Sequence, residues 1–120
     1  MKTTDRNNLD ATDVREAARE SKQIIRDDAS AAKSEVKQEY REFKNIMRES
    51  DILDRSDLKV AKEAKKYSLE EIKNDKRDGL DSIDDIHKEY LVGNVSASKT
   101  IARMEDVVDE TVLDMERDIF

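Results

Sequence analysis

The sequence predicts an all-α protein: an elongated, antiparallel three-helix bundle made of a long helical hairpin and a shorter third helix. Three observations carry that expectation. The chain of 120 residues has no proline and only two glycines, Gly79 and Gly93, too few turn formers for a strand-rich fold. Charged residues make up 44% and aromatics 4%, a thin core supply that suits a rod with a high surface-to-volume ratio. Most telling is an 11-residue rhythm: Val14, Ala18, Ser21, Ile25, Ala29, Ala32, Val36, Tyr40, Phe43 and Met47 follow one another in steps of 4 and 3. That averages close to the ~3.6 residues of a helical turn, so the stripe stays on one coiled-coil-like face. Disordered chains need no such periodicity.

Residues 1–10 read as a flexible N-terminal tail, and residues 11–120 as one helical domain. The first helix is expected over about 12–49. Asp13 and Glu16 have capping-box spacing at its start. Its first half is rich in alanine (Ala17, Ala18, Ala29, Ala31, Ala32), so a neighbouring helix can approach closely. The Ser- and Asp-rich stretch Glu49–Asp57 competes for backbone hydrogen bonds and is read as the reversal.

The second helix is expected over about 56–92. Its stripe is Ala61, Ala64, Ser68, Ile72, Asp75, Gly79, Ile83, Ile86 and Tyr90, with the same steps. Ser68-Leu69-Glu70-Glu71 is a capping box inside it, with Tyr67 and Ile72 placed as a hydrophobic staple, so continuity competes with a restart at Ser68. The unslipped rhythm favours continuity. Gly93-Asn94-Val95-Ser96 is the clearest turn, with Gly93 past a helix end and Ser96 capping the next helix. The third helix, about 96–119, carries Ala97, Ile101, Met104, Val108, Val112, Met115 and Ile119. Folding the stripes antiparallel pairs Val36 with Ser68, Tyr40 with Ala64, Ile25 with Gly79, and Gly79 with Val108.

The lengths do not match. A shorter third helix covers only the end of the hairpin that holds both chain termini, leaving a two-helix tip. Tyr40, Phe43, Ile46, Met47, Val60, Ala64 and Tyr67 lie there, and they are the expected protein-interaction residues. Lys33, Lys37, Arg41, Lys44 and Arg48 each follow a stripe residue by one, while Glu35, Glu39 and Glu42 each precede one. These basic and acidic edges would complement each other if two copies of the helix paired in parallel. A third candidate is the acidic column Asp106, Glu110, Asp114 and Asp118 at i,i+4 spacing.

Net charge is −7, and residues 81–120, with 4 basic and 11 acidic groups, carry all of it. Nucleic acid is therefore not an expected partner, since phosphate contacts need cations. A membrane is not expected either: no apolar run approaches ~20 residues, and the stripe is narrow and lacks tryptophan. The absence of cysteine excludes disulfides and thiolate metal sites. Asp84 and His87 share a metal-friendly i,i+3 spacing, but one histidine cannot build a paired di-metal site. No catalytic residue, cofactor or metal is expected, and the chain is not expected to be an enzyme. Met1 to Leu9 lacks the apolar segment of a secretory leader, so a cytoplasmic location is expected, or an intravirion one for a viral protein.

In composition the chain resembles small phage accessory and capsid-scaffolding proteins, which are also helical, charged and poor in aromatics. The functional expectation is a non-enzymatic helical scaffold or adaptor, acting on a protein partner or on a second copy of itself. The alternatives are an acidic inhibitor or nucleic-acid mimic that binds a basic partner, and an amphipathic lipid-surface protein.

Overall fold

The computed structural model describes residues 9–49 and 55–119. Among these it contains three α-helices and no strand: α1 (Ala11–Glu49), α2 (Arg55–Leu91) and α3 (Ala97–Arg117). All three pack on one another in a rod with extents of 66 × 28 × 14 Å. The tail expected over residues 1–10 falls mostly outside the described residues, as does most of the reversal between α1 and α2.

α1 starts at Ala11, one residue before its expected start and two before the expected cap at Asp13. Asp10, not Asp13, is the N-cap: its Oδ1 accepts from the backbone N–H of Thr12 (3.0 Å) and Asp13 (3.1 Å). Asp13 reaches back to accept from the Asp10 N–H at 2.9 Å. The capping box is thus Asp10 with Asp13, and two acidic side chains meet the positive end of the helix dipole. The rhythm of α1 is buried from Val14 to Val36, while its last three members, Tyr40, Phe43 and Met47, are not. Val14, Ala18, Ser21, Ile25, Ala29, Ala32 and Val36 are the buried residues of this helix. Burying a valine or isoleucine in such a seam contributes about 1.5–3 kcal/mol.

α2 runs without interruption through Ser68, whose side chain is buried. Tyr67 is 68% exposed, so no hydrophobic staple forms and the helix does not restart. Ser68, Ile72, Gly79, Ile83 and Ile86 face inward. The expected α1–α2 register agrees with two cross-helix contacts: Lys65 Nζ lies 4.6 Å from the centre of the Tyr40 ring, and Lys22 Nζ is 2.9 Å from Asp84 Oδ1.

The α2–α3 turn closes as a paired C-cap. Gly93, at φ 85°, donates its N–H to Tyr90 O (2.9 Å), and Asn94 donates to Glu89 O (3.4 Å). Ser96 then caps α3, its Oγ accepting from Lys99 N at 3.3 Å. Two expectations for α3 change. Its buried line is Thr100, Met104, Thr111 and Met115, rotated from the apolar stripe. α3 lies in the groove between the other two helices, so its innermost line falls between two apolar flanks. Ile101 and Val108 flank it toward α1, and Val107 flanks it toward α2. Thr100 is accommodated because its Oγ1 donates to Ser96 O at 2.7 Å. Register also differs: Gly79 faces Thr111, one turn beyond Val108. The connector 92–96 offsets the two helices by that turn.

Candidate interaction surface

α3 ends level with the middle of the hairpin. Its last turn, with Glu116 and Ile119, shares a shallow groove with Asp28, Ala32, Glu35 and Glu39 of α1. Beyond this level the hairpin continues as two helices. Val36 is the last buried residue of α1, and Ser68 is the first of α2. Phe43 (36% exposed), Ile46 (63%), Val60 (65%) and Tyr67 (68%) therefore stay at the surface, and Ala64 is exposed beside them. Tyr40 and Met47 are half-buried at the seam.

The seven expected tip residues do not form one patch. On α1, the residues that meet α3 step from Asp28 to Ala32, Glu35 and Glu39. The next steps of four and three on that face are Phe43 and Ile46. On α2, Asp78 and Asp75 line the groove with α3, and Glu71 lies near Asp118. The next steps back along that face are Tyr67, Ala64 and Val60. The track in which α3 sits thus continues past the end of α3 as an exposed groove with apolar residues on both walls. Tyr40 belongs to the other side of the seam, where Lys65 covers its ring.

The charged edges separate onto opposite sides of the rod. Glu35 and Glu39 lie on the α3 side, and Glu42 follows on that edge. Lys37, Arg41, Lys44 and Arg48, with Lys33, lie on the opposite edge. There α2 adds Lys73 and Lys76; partial burial and then the charges of Lys76, Lys37 and Lys73 lower the pKa of Lys33. Parallel pairing of two α1 helices through the seam does not fit this arrangement. From Val14 to Val36 the seam is already filled by α2 and α3.

Of the acidic column, Asp106, Glu110 and Asp114 are exposed, with Glu110 and Asp114 on the side of α3 that borders α2, beside Asp75 and Asp78. Asp118 departs from it. It turns back onto α2 and forms a side-chain hydrogen bond with Asp75, and its Oδ2 is buried without a donor among the described residues. Its pKa is pushed up to about 7, first by burial, then by that hydrogen bond and by the charges of Asp75, Glu71 and Asp114. Asp28 is likewise raised by burial and by Glu116 across the α1–α3 groove. Sequence reasoning missed this pair of carboxyl groups. The signal available was Asp75 itself, a carboxylate at a core step of the stripe.

Asp84, one half of the Asp84–His87 pair, is engaged by Lys22 at 2.9 Å. Among the described residues no cluster of His, Cys, Asp and Glu is placed to hold a metal ion, and no helix is long and apolar enough to cross a membrane. Compared with family models, curated proteins and solved structures, the chain matches none of them.

Proposed function

We propose that the chain is a non-enzymatic helical interaction protein, a scaffold or adaptor whose working surface is the two-helix tip. One observation carries this reading: Phe43, Val60 and Tyr67 are the large exposed apolar groups that continue the track of α3 beyond its end. A groove of the kind that α3 fills in one half of the rod stands open in the other. Exposed apolar surface of this sort is costly to keep unless a partner covers it. The grooves elsewhere along α3 are shallow: the one toward α1 mixes Ile24, Ile101 and Val108 with Glu20, Glu105 and Asp109, and the one toward α2 is lined mainly by carboxylates, which gives chemistry no enclosed site. The alanine-rich stripe that a lipid-surface role would require is buried inside the bundle.

Photo-crosslinking in cells of the native source tests the reading. A crosslinker at Phe43 or Tyr67 should capture one defined partner, or a second copy, while one at Leu91, as exposed as Tyr67 but at the far end of α2, should not. Equal capture at all three positions would sink it. A second reading rests on the exposed carboxylates Asp106, Glu110 and Asp114, which suit a basic partner. In that case Asp106→Asn, Glu110→Gln and Asp114→Asn together abolish capture, and Phe43→Asp leaves it intact.

A further inference from the structure

We propose that the C-terminal half of α3 is an acid-closed latch: it docks between α1 and α2 when the carboxyl groups along its two seams share protons, and it releases from Asp118 back toward Met104 when they ionise. The latch goes beyond the tip reading and does not depend on it.

Both seams of α3 set acid against acid. Toward α1, Glu105 and Asp109 share a groove with Glu20, and further along Glu116 shares one with Asp28, Glu35 and Glu39. Toward α2, Glu110 and Asp114 face Asp75 and Asp78, and Asp118 lies against Asp75 and Glu71. No lysine or arginine lines any of these three grooves. Arg77 pairs with Asp78 at 3.6 Å within α2, and Arg117 of α3 is exposed. Among the described residues the one ion pair of α3 is Arg103 with Glu89 at 2.6 Å, near the turn at Gly93. Beyond Arg103, α3 is held by apolar packing and by the carboxyl pairs themselves. Thr111 and Met115 are buried, and Val108 and Ile119 pack against the core.

The carboxyl pairs make that hold conditional. Asp118 Oδ2 on the α2 side and Asp28 Oδ2 on the α1 side are buried with no donor among the described residues. A charged oxygen in that setting is costly, whereas a proton removes the charge and lets one carboxyl donate to the other. Burial first, then the hydrogen bond with Asp75 and the charges of Asp75, Glu71 and Asp114, hold Asp118 above the ordinary carboxylate range. Burial and then Glu116 act on Asp28 in the same direction. Release returns both groups to ordinary values. The released state therefore binds fewer protons and is favoured as pH rises from 3.8 toward 7. It uncovers Ala32, Val36 and Ile72, the buried hairpin residues level with Glu116 and Asp118, so the exposed track of the tip lengthens as the latch opens.

Native-state hydrogen exchange of the full chain tests the latch, read as protection factors so that the pH dependence of intrinsic exchange cancels. At pH 7.5 the amides of Thr111 to Met115 should be about tenfold less protected than that of Met104, because they open without the rest of the bundle. Lowering the pH to 5 should raise their protection by about fivefold or more, the limit for one proton being about tenfold per pH unit. Asp75→Asn and Asp28→Asn lie on the hairpin, not on α3. Each removes a charge from a seam and should raise that protection severalfold at pH 7.5, and Asp75→Asn should also flatten the pH dependence. Asp106→Asn, which removes a carboxylate that lines none of the three grooves, should change little. Equal protection of Met104 and Thr111–Met115 at both pH values overturns the latch, as does protection of Thr111–Met115 that pH leaves unchanged. Protection that neither Asp75→Asn nor Asp28→Asn raises overturns it too. So does an effect of Asp106→Asn as large as that of Asp75→Asn, since net charge and not the seams would then be responsible.

Discussion

Asp118 is the residue whose chemistry depends most on the fold. Its carboxyl shares a hydrogen bond with Asp75 and is raised to about 7 from an ordinary 3.8. A raised acid is stabilised in its protonated form. Its contribution is therefore complete below pH 3.8 and is lost as pH rises toward and through 7. Asp75, Glu71 and Asp114 surround it, so ionisation adds a negative charge to an acidic neighbourhood. The expected outcome is a melting temperature that falls between pH 5 and pH 8, with Asp118→Asn flattening the fall and melting higher than the wild type at pH 8. Thermal unfolding followed by circular dichroism across that range checks it.

The two glycines make a second contrast between single residues. A Cβ on Gly79 would lie 2.6 Å from both Cγ2 and Oγ1 of Thr111 and 3.1 Å from its Cβ. Rotating the threonine does not clear its own Cβ. Gly79→Ala therefore loses about 1–3 kcal/mol to overpacking against a gain of about 1 kcal/mol in helix propensity. Adding Thr111→Ala removes the two 2.6 Å contacts and leaves the 3.1 Å one to its Cβ, so it should restore part of the stability lost in Gly79→Ala, which a double-mutant cycle in urea would measure. A double mutant no better than Gly79→Ala would show that the clash is not the cause. Gly93 has open space around it but sits at φ 85°, so Gly93→Ala costs about 1 kcal/mol through backbone strain alone.

At the scale of the element, α1 and α2 each behave as two helices in series. Their inner portions, Val14–Val36 and Ser68–Ile86, are buried on the bundle side. Their tip portions carry similar periodicity but face water on the side that α3 does not reach. Ile72→Ala, in the covered part, should cost about 2–5 kcal/mol because Ile72 is fully buried. Val60→Asp and Tyr67→Asp, in the open part of the same helix, should change stability by only about 0.5 kcal/mol. Denaturant unfolding of the three variants checks the division. Comparable losses at all three would mean that the tip is part of the core. Helix propensity does not draw this line, since α2 is continuous across it; the third layer does.

For the whole molecule, the consequence is a gradient of stability along a 66 Å rod. Where three helices meet, Ile25, Ile72, Ile83, Met104 and Met115 exclude water. At the tip, two helices bury little apolar surface against each other. Native-state hydrogen exchange should show amides near Ile25, Ile83 and Met104 opening only with global unfolding, and amides around Phe43 and Val60 opening at much lower free energy. Uniform protection along α1 would contradict the gradient. Charge follows a related division. The acidic excess lies on the α3 side and around the end of its track, and Lys33, Lys37, Lys73 and Lys76 lie across the rod from it.

The sequence alone determined the fold class and the inward face of α1. A 3.67-residue rhythm can be buried continuously only on a helix, and every stripe residue from Val14 to Val36 is buried. It also determined the turn at Gly93 and Ser96, because a positive φ and an N-cap oxygen are local needs that local residue types reveal. The shorter third helix, and hence the existence of a two-helix tip, followed from element lengths. Tertiary structure decided the rest. Three stripes of one period align in any register that differs by whole turns, so only the connector and the close approach of Thr111 to Gly79 fix which residues face each other. A helix lying between two others has no single inward stripe, which is why Thr100 and Thr111 are buried ahead of Val108 and Val112. For the same reason the tip residues divided into two sides. Whether Phe43 or Tyr40 faces the open groove depends on the side of the hairpin that α3 occupies, and that is a property of three helices together.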